Sequence, residues 1–391
     1  MTETHIPPNF RDTVPAMRAA HEEILRLLAE HDIVAPPFPD LRGLGRAEGI
    51  AAARAYPIQG VLKYHGMADW TWRTAFLPSV SVNNDAAYTL TLVAFRADLA
   101  ADQVTINGQR AQGRALERVR HSLDVVRRLA GIRSGARVLS RNVVRASRTG
   151  KGLGTSASAS AALATAALAA AFGAEAVRNT RLLSTTARLL AGSGGRSAVG
   201  GVSLWLSYPG IPHEESFSVR LDTRGQLADL RLITVPIDSR IRLQTEAAHQ
   251  EAPHSPFFKC WMANRLAELR ECIAAVQAGD WRTVAQLAEL DSIQLHGVTM
   301  SASRENKIFA WEPENIRLFR MCNALRADGV PVYFSTDTGP TVVFFTHRDY
   351  EEQVVARIAA ELPAAEIIRG GLGGPAELVE VAEAQAQLGA E

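Results

Sequence analysis

Cysteine is scarce in this chain. Cys260, Cys272 and Cys322 are the whole complement, an odd number, widely separated and without a C-x-x-C pair. Neither a disulfide framework nor a structural zinc site is expected from that pattern. Charge of one sign is not in excess either: 42 Lys and Arg face 41 Asp and Glu, for a net charge of +1. Binding to nucleic acid or to anionic membranes normally needs a broad basic field, so neither is expected, although a local anion site is still allowed. The opening residues, M-T-E-T-H-I-P-P-N-F-R-D, lack a basic stretch followed by an apolar core, and no signal peptide is read there. The Ala-rich run after Ser158 is apolar for only about 14 residues before a glycine, short of a bilayer span. A cytoplasmic location is the resulting expectation. No internal repeat stands out at a fixed period.

What is present is the composition of an ordinary globular enzyme, 47% hydrophobic and 21% charged over 391 residues. That length implies roughly two domains, or one large elaborated one. The chain is organised around residues 147–173, S-R-T-G-K-G-L-G-T-S-A-S-A-S-A-A-L-A-T-A-A-L-A-A-A-F-G. Gly150, Gly152 and Gly154 make a pliable loop, Thr155, Ser156 and Ser158 supply hydroxyls, and about four turns of helix formers follow. A helix N-terminus carries unpaired N–H groups and partial positive charge, and glycines let backbone approach an anion, so the segment reads as a phosphate cradle. A capped, buried helix behind a loop reads the same residues equally well. The loop is not G-x-x-x-x-G-K-[ST], because Gly154 stands where the lysine would be, nor a dinucleotide fingerprint, because Thr155 occupies the third glycine position.

Along the chain, residues 14–33 have helical periodicity, and Pro36, Pro37 and Pro39 form a stiff connector after them. That extension is expected to dock on the body or on a partner subunit. Residues 56–67 read as a strand entering a loop. Residues 79–83 and 86–95 read as antiparallel strands joined through Asn83, Asn84 and Asp85, and V-T-I-N-G-Q-R as a hairpin. Helices are predicted over 116–130, 257–278 and 316–327, with another beginning at 281 and one over 350–361, and strands over 137–145 and 230–236. Between the Ala-rich helix and the strand near Trp205 come a helix and a glycine-rich bend. Residues 332–346 form two strands around a tight turn, and 364–368 are extended. Mixed helices and antiparallel strands indicate an α+β fold.

Four separated stretches, K-Y-H-G-M-A-D, G-L-G-T-S-A-S with its Ala-rich helix, S-G-G-R-S-A-V-G-G and S-T-D-T-G-P-T-V-V, resemble in order the segments that mark mevalonate diphosphate decarboxylases of the GHMP kinase superfamily. D-S-I-Q-L-H, residues 291–296, resembles a fifth. The resemblance covers roughly residues 54–347 and implies a two-domain GHMP kinase fold with the active site in the cleft between domains. Its boundaries are expected as a helical extension at 1–50, a nucleotide-binding domain at 51–228 and a C-terminal domain at 229–391. Within the family, Y-P-I-Q-G-V-L-K-Y-H-G-M is most similar to the phosphomevalonate decarboxylase branch. The diphosphate enzymes typically show K-Y-W-G-K, whereas here His65 and Met67 replace the Trp and the second lysine. A cation missing where a second phosphate would sit suits a substrate with one phosphate, because an unpaired buried charge is costly.

The implied reaction phosphorylates a tertiary 3-hydroxyl with ATP and then expels phosphate and carbon dioxide, with Mg²⁺ arriving on the nucleotide and held mostly by phosphates and water. The resemblance gives Asp337 the hydroxyl proton, with turn formation as its ordinary role. It gives Arg196 the substrate carboxylate, since a guanidinium can grip one bidentately; a solvated arginine is the usual alternative. Lys63 and Tyr64 match the pair that holds the 5-phosphate. Ser156 and Ser158 match the S-x-S of the nucleotide loop, with Ser158 also reaching substrate, and Gly152, Gly154 and Thr155 complete that loop; helix capping can coexist with these roles. His65 and His296 read more naturally as structural, no metal ligand set is visible, Lys151 has no clear counterpart, and Gln59 lies near a family Asn. The expected activity is ATP-dependent decarboxylation of (R)-5-phosphomevalonate to isopentenyl phosphate in a homodimeric enzyme. The diphosphate decarboxylase, a mevalonate 3-kinase, a 3,5-bisphosphate decarboxylase and a non-catalytic GHMP-fold sensor are the alternatives.

Overall fold

The structure is a computed structural model and describes residues 3–144, 153–238, 245–305 and 307–389. The chain begins with α1 (Val14–Glu30), then β1 (Gly49–Ala55), β2 (Ile58–Leu62), the small pair β3 (Met67–Asp69) and β4 (Thr74–Ala75), β5 (Ser79–Asn83) and β6 (Ala87–Arg96). It continues through β7 (Gln103–Ile106), β8 (Gln109–Arg110), α2 (Gly113–Ala130), β9 (Gly135–Val144), α3 (Thr155–Phe172), α4 (Thr180–Ala187), α5 (Gly194–Val199), β10 (Val202–Trp205) and β11 (Ser218–Arg220). The second half holds β12 (Leu230–Val235), α6 (Thr245–Glu251), α7 (Phe258–Ala278), α8 (Trp281–Ala302), α9 (Pro313–Ala327), β13 (Val332–Ser335) and β14 (Val342–His347). Last come α10 (Glu351–Glu361), β15 (Ile368–Gly370), β16 (Glu377–Val379) and α11 (Val381–Leu388).

Three main sheets result, in the orders β16-β1-β6-β9-β7-β8, β11-β10-β5-β2 and β13-β14-β12-β15. The first packs α3 across β1 and β6 in a core of small side chains, among them Ala53, Ala162 and Ala166. Small residues are required there: a Cβ on Gly49 would lie 2.1 Å from the carbonyl oxygen of Ala170. Helix α3 is long and apolar enough by length and composition to cross a membrane, but 78% of it is buried inside the protein, as for a core helix. The third sheet is covered on both faces. Ile233, Phe334 and Phe344 pack with α9 and α10, while Leu232, Tyr333 and Phe345 join α7, α8 and the second sheet. Helix α8 therefore lies between β2 of one half and β13 of the other.

Several expectations change in the structure. Strands 79–83 and 86–95 are not a hairpin: β5 pairs with β2 and β10, whereas β6 pairs with β1 and β9. The backbone N–H groups of Asn83, Asn84 and Asp85 go instead to the carbonyls of Gly201, Pro57 and Gly371, so the junction is a pivot between sheets. Strand β1, G-I-A-A-A-R-A, has no alternation to reveal it, because its small side chains serve contact with α3. The glycine-rich bend contains the short helix α5, and α6 was not foreseen. The tail leaves the third sheet after β15 and pairs β16 antiparallel with β1, which carries α11 back onto the first sheet. A division at residue 229 therefore does not separate the sheets, because β16 from the second half completes the first one. The V-T-I-N-G-Q-R hairpin stands as read, with Asn107 and Gly108 both at positive φ.

The N-terminal extension is docked on the body. Ile24, Leu28 and Ile33 enter the core shared by the second sheet and α7, and Phe10 packs 4.5 Å from Phe76. Leu28 is 1% exposed, so Leu28→Ala is expected to cost about 2–4 kcal/mol, the usual range for a buried leucine truncation. Denaturant titration checks this, and an unshifted midpoint would mean the extension contributes nothing to stability.

Candidate active site

Three loop or helix ends meet beside α8. The six residues between β13 and β14 carry Asp337, the turn after β2 carries Lys63 and Tyr64, and α5 carries Arg196. They line one cavity of about 190 Å³ together with Gly60, Gly154, Ser156, Ser193, Thr245, His249 and Leu295. A larger cavity of about 460 Å³ between α1 and α7 is mostly apolar and does not gather these groups.

Lysine is rare here, with Lys63, Lys151, Lys259 and Lys307 the full set, and Lys63 is 3% exposed. Its ammonium donates to Gly60 O (3.1 Å), Ala288 O (3.2 Å) and Ser292 Oγ (2.9 Å), which uses all three hydrogens. Burial pulls its pKa down, opposed by the carboxylates of Asp291 and Asp337. Burial likewise pushes Asp337 above the usual carboxylate range, against the pull of Lys63 and Arg196. Gln59 Nε2 donates to Asp337 Oδ1 at 3.3 Å and to Ser335 Oγ at 2.9 Å, which fixes the carboxylate's approach. Gly60 sits between acid and lysine: a Cβ there would lie 2.6 Å from Lys63 Cγ and 2.9 Å from Asp337 Oδ1.

Arg196 is held by close packing of its own helix. A Cβ on Gly194 would be 2.4 Å from both Ser160 Cβ and Ala187 O, so α5 can press against α3 and α4 only with glycine there. The guanidinium is 2% exposed, and its Nε and Nη1 have no hydrogen-bond partner among the described residues. It lies 5.3 Å over the Tyr64 ring. Burial lowers its pKa to about 10, so the group stays charged at neutral pH. A buried, charged guanidinium on a cavity wall, with two nitrogens lacking protein acceptors, is suited to binding an anion, which would compensate its desolvation.

At the nucleotide side, α3 starts on Gly154 with φ 60° and no side-chain cap, so the first backbone N–H groups are available to an anion. Ser156 reaches the cavity. Ser158 and Thr155 are not brought to it: Ser158 is buried with its hydroxyl 2.7 Å from Thr89 Oγ1 and donating to Thr155 O, while Thr155 Oγ1 accepts from Asn142. Gly152 and Lys151 lie outside the described residues. Gly154 and Ser156 line the cavity at the start of α3, where an anion could be held. Among the described residues no cluster of three or more His, Cys, Asp or Glu could hold a metal ion.

The supporting network includes residues the motifs did not reveal. Asp291 accepts from Lys63 N (2.6 Å), Trp261 Nε1 (3.1 Å) and Arg265 Nη2 (2.9 Å), and the same Nη2 donates to Lys63 O. Trp261 and Arg265 are one helical turn apart on α7, a spacing that fits an ordinary core face and so carried no signal. His296 is buried beside Thr336 and Trp311, and His65 beside Thr299, in agreement with structural roles. Met67 does not line the cavity. Its side chain packs with Ala75 and Trp205, partly covered by Tyr64 and Trp70.

An α+β body with an acid and a lysine, an arginine open to an anion and a helix N-terminus around one cleft is suited to phosphoryl transfer to a small molecule. Residues 55–226 match the family model for the diphosphomevalonate decarboxylase-like N-terminal domain. The chain is 36% identical to phosphomevalonate decarboxylase from Haloferax volcanii across 85% of its length and 99% of that protein. Mevalonate diphosphate decarboxylase from Staphylococcus aureus superposes with a TM-score of 0.78 at 27% identity, covering 85% of this chain and 98% of that one. A further structure, MDDEF in complex with MVAPP, AMPPCP and magnesium, gives 0.77 at 26% identity, over 86% and 100% of the two chains. The chain belongs to the mevalonate diphosphate decarboxylase family.

Gly60→Ala tests the tight contact at the centre of the site. Overpacking of this kind costs about 1–3 kcal/mol, and the variant is expected to lose stability and activity together. Wild-type melting and turnover would show that Lys63 and Asp337 are not held as described.

Proposed function

We propose that this enzyme decarboxylates (R)-5-phosphomevalonate to isopentenyl phosphate with release of ADP, phosphate and carbon dioxide. The observation that carries the reading is the convergence of Asp337, Lys63 and the unpartnered Arg196 on one cleft with the start of α3. Asp337 accepts the proton of the 3-hydroxyl as that oxygen attacks the γ-phosphorus of ATP, and ADP leaves. Mg²⁺, when bound with the nucleotide, neutralises phosphate charge, and the α3 N–H groups with Ser156 orient the chain. Arg196 binds the carboxylate. The C–C bond to that carboxylate then breaks, its electrons form the alkene, and the 3-phosphate leaves with its C–O electrons. Lys63, with its hydrogens engaged, acts here through charge beside Asp337 rather than by direct phosphate contact.

The preference for one phosphate is supported by the 36% identity to a phosphomevalonate decarboxylase over most of both chains; Met67, packed away from the cavity, does not bear on it. A 3,5-bisphosphate or diphosphate substrate is the competing reading. A homodimer and a cytoplasmic location belong to the proposal too; Leu290 and Ile293, 52% and 45% exposed one turn apart on α8, give an apolar face for a second copy. Light scattering is expected to read twice the 42.3 kDa of one chain, and a monomer would remove the dimer.

Incubation with Mg-ATP and, separately, mevalonate, its 5-phosphate, 5-diphosphate and 3,5-bisphosphate is expected to release ADP and carbon dioxide most efficiently from the 5-phosphate. No ADP from that compound defeats the proposal. Asp337→Asn should lower kcat by roughly 10²–10⁴, the usual contribution of a positioned base, while ATP binding persists. Since Asp337 works deprotonated and its pKa is raised, kcat/KM should fall as pH drops through a value above the ordinary 3.8. A rate flat down to pH 4 would exclude Asp337 as the base.

A further inference from the structure

We propose that His249 is the hydrogen-bond donor that anchors the substrate's 5-phosphate, a deepening that rests on the function proposed above. The residue expected for this task, Lys63, has its three hydrogens engaged by Gly60, Ala288 and Ser292. Met67 is packed away from the cavity. The end of the site opposite Asp337 therefore needs another donor.

Helix α6 supplies one. Thr245, at its start, accepts from Thr338 Oγ1 at 3.3 Å, next to Asp337. His249 follows four residues later, about 6 Å further along at 1.5 Å per residue. Both side chains line the cavity. The helix thus runs from the reacting end toward the far end, over a span comparable with the separation of C3 from a phosphorus at C5.

The tautomer of His249 is determined by its surroundings. Nδ1 accepts from Gly66 N at 3.0 Å, so the proton of the neutral ring sits on Nε2. Burial holds the ring neutral, with a pKa of about 4. Among the described residues none accepts from Nε2. The imidazole stacks on Tyr64, with centroids 5.1 Å apart and planes 5° from parallel, which locks its direction. The field of Arg73 reaches both rings, so positive charge stands at the same end. A directed neutral N–H beside a phenol, with a cation behind, is a set of groups suited to one phosphate.

The test separates donor from prop, because Asn reproduces the Nδ1 position and Gln the Nε2 position. Mevalonate 5-phosphate and mevalonate are titrated calorimetrically into wild type, His249→Asn and His249→Gln, each with AMPPCP and Mg²⁺ present. The wild type is expected to prefer the 5-phosphate, Asn to lose at least tenfold of that preference, and Gln to retain most of it. Full preference in Asn, with or without loss in Gln, would overturn the proposal and leave His249 as support for Gly66. Turnover of the 5-phosphate by wild type is measured separately, so the activity and the role of His249 can fail independently.

Discussion

The site depends on one buried carboxylate. Asp291 takes hydrogen bonds from the Lys63 backbone, Trp261 and Arg265, and Arg265 returns to the Lys63 carbonyl. Both backbone groups of the residue that faces Asp337 are thereby tied to α7 and α8. A buried ion pair of this kind is weak evidence of net stability, since desolvation offsets much of the attraction. Its consequence is positional. Lys63 belongs to the first half of the chain and Asp337 to the second, and α8 holds one from each side through Ser292, which accepts from Lys63 Nζ and from Thr336 N.

Arg196 is positioned by the opposite device, the absence of side chains. Gly194 and Gly195 let α5 approach Ser160, Ala187, Ser184 and Ser218 more closely than any Cβ would allow. The Ala-rich α3 and the Ala-rich β1 are parts of the same close-packed layer. The helix whose N-terminus faces the cavity is thus also the wall against which Arg196 is set, and displacement of one would displace the other.

Much of the cavity lining was legible because its residues stand at turns and element ends with a local signal: Asp337 between two apolar strands, Arg196 among glycines, Gly154 before a helix. The long amphipathic helices and the Asn-Gly hairpin were legible from periodicity and turn chemistry. What could not be read is what depends on partners distant in sequence. The Asn83–Asp85 junction looks like a hairpin locally, and only the carbonyls of Pro57, Gly201 and Gly371 make it a pivot. Ser158 fits a phosphate motif as well as it fits a core hydroxyl, and Thr89 decides between them. Helix α6 carries no periodic signal in seven residues, so His249 was not singled out.

The charge balance of the cleft connects stability with binding. Lys63 and Arg265 have carboxylates close by, and Asp337 answers Lys63 from across Gly60. Arg196 and Arg265 each keep two buried guanidinium nitrogens without acceptors among the described residues, but Arg265 is paired with Asp291, whereas Arg196 faces the cavity. An unmet buried donor costs about 1–3 kcal/mol, more when charged, so the unliganded protein carries a local penalty that an anionic substrate would remove. Tyr64 and Trp205 lie against the guanidinium on its apolar side, and they offset part of that penalty without supplying an acceptor. Cation–π contact can therefore keep Arg196 buried and aimed while leaving its hydrogen bonds for the carboxylate, whose loss as carbon dioxide would then restore the unsatisfied state and favour release of the product.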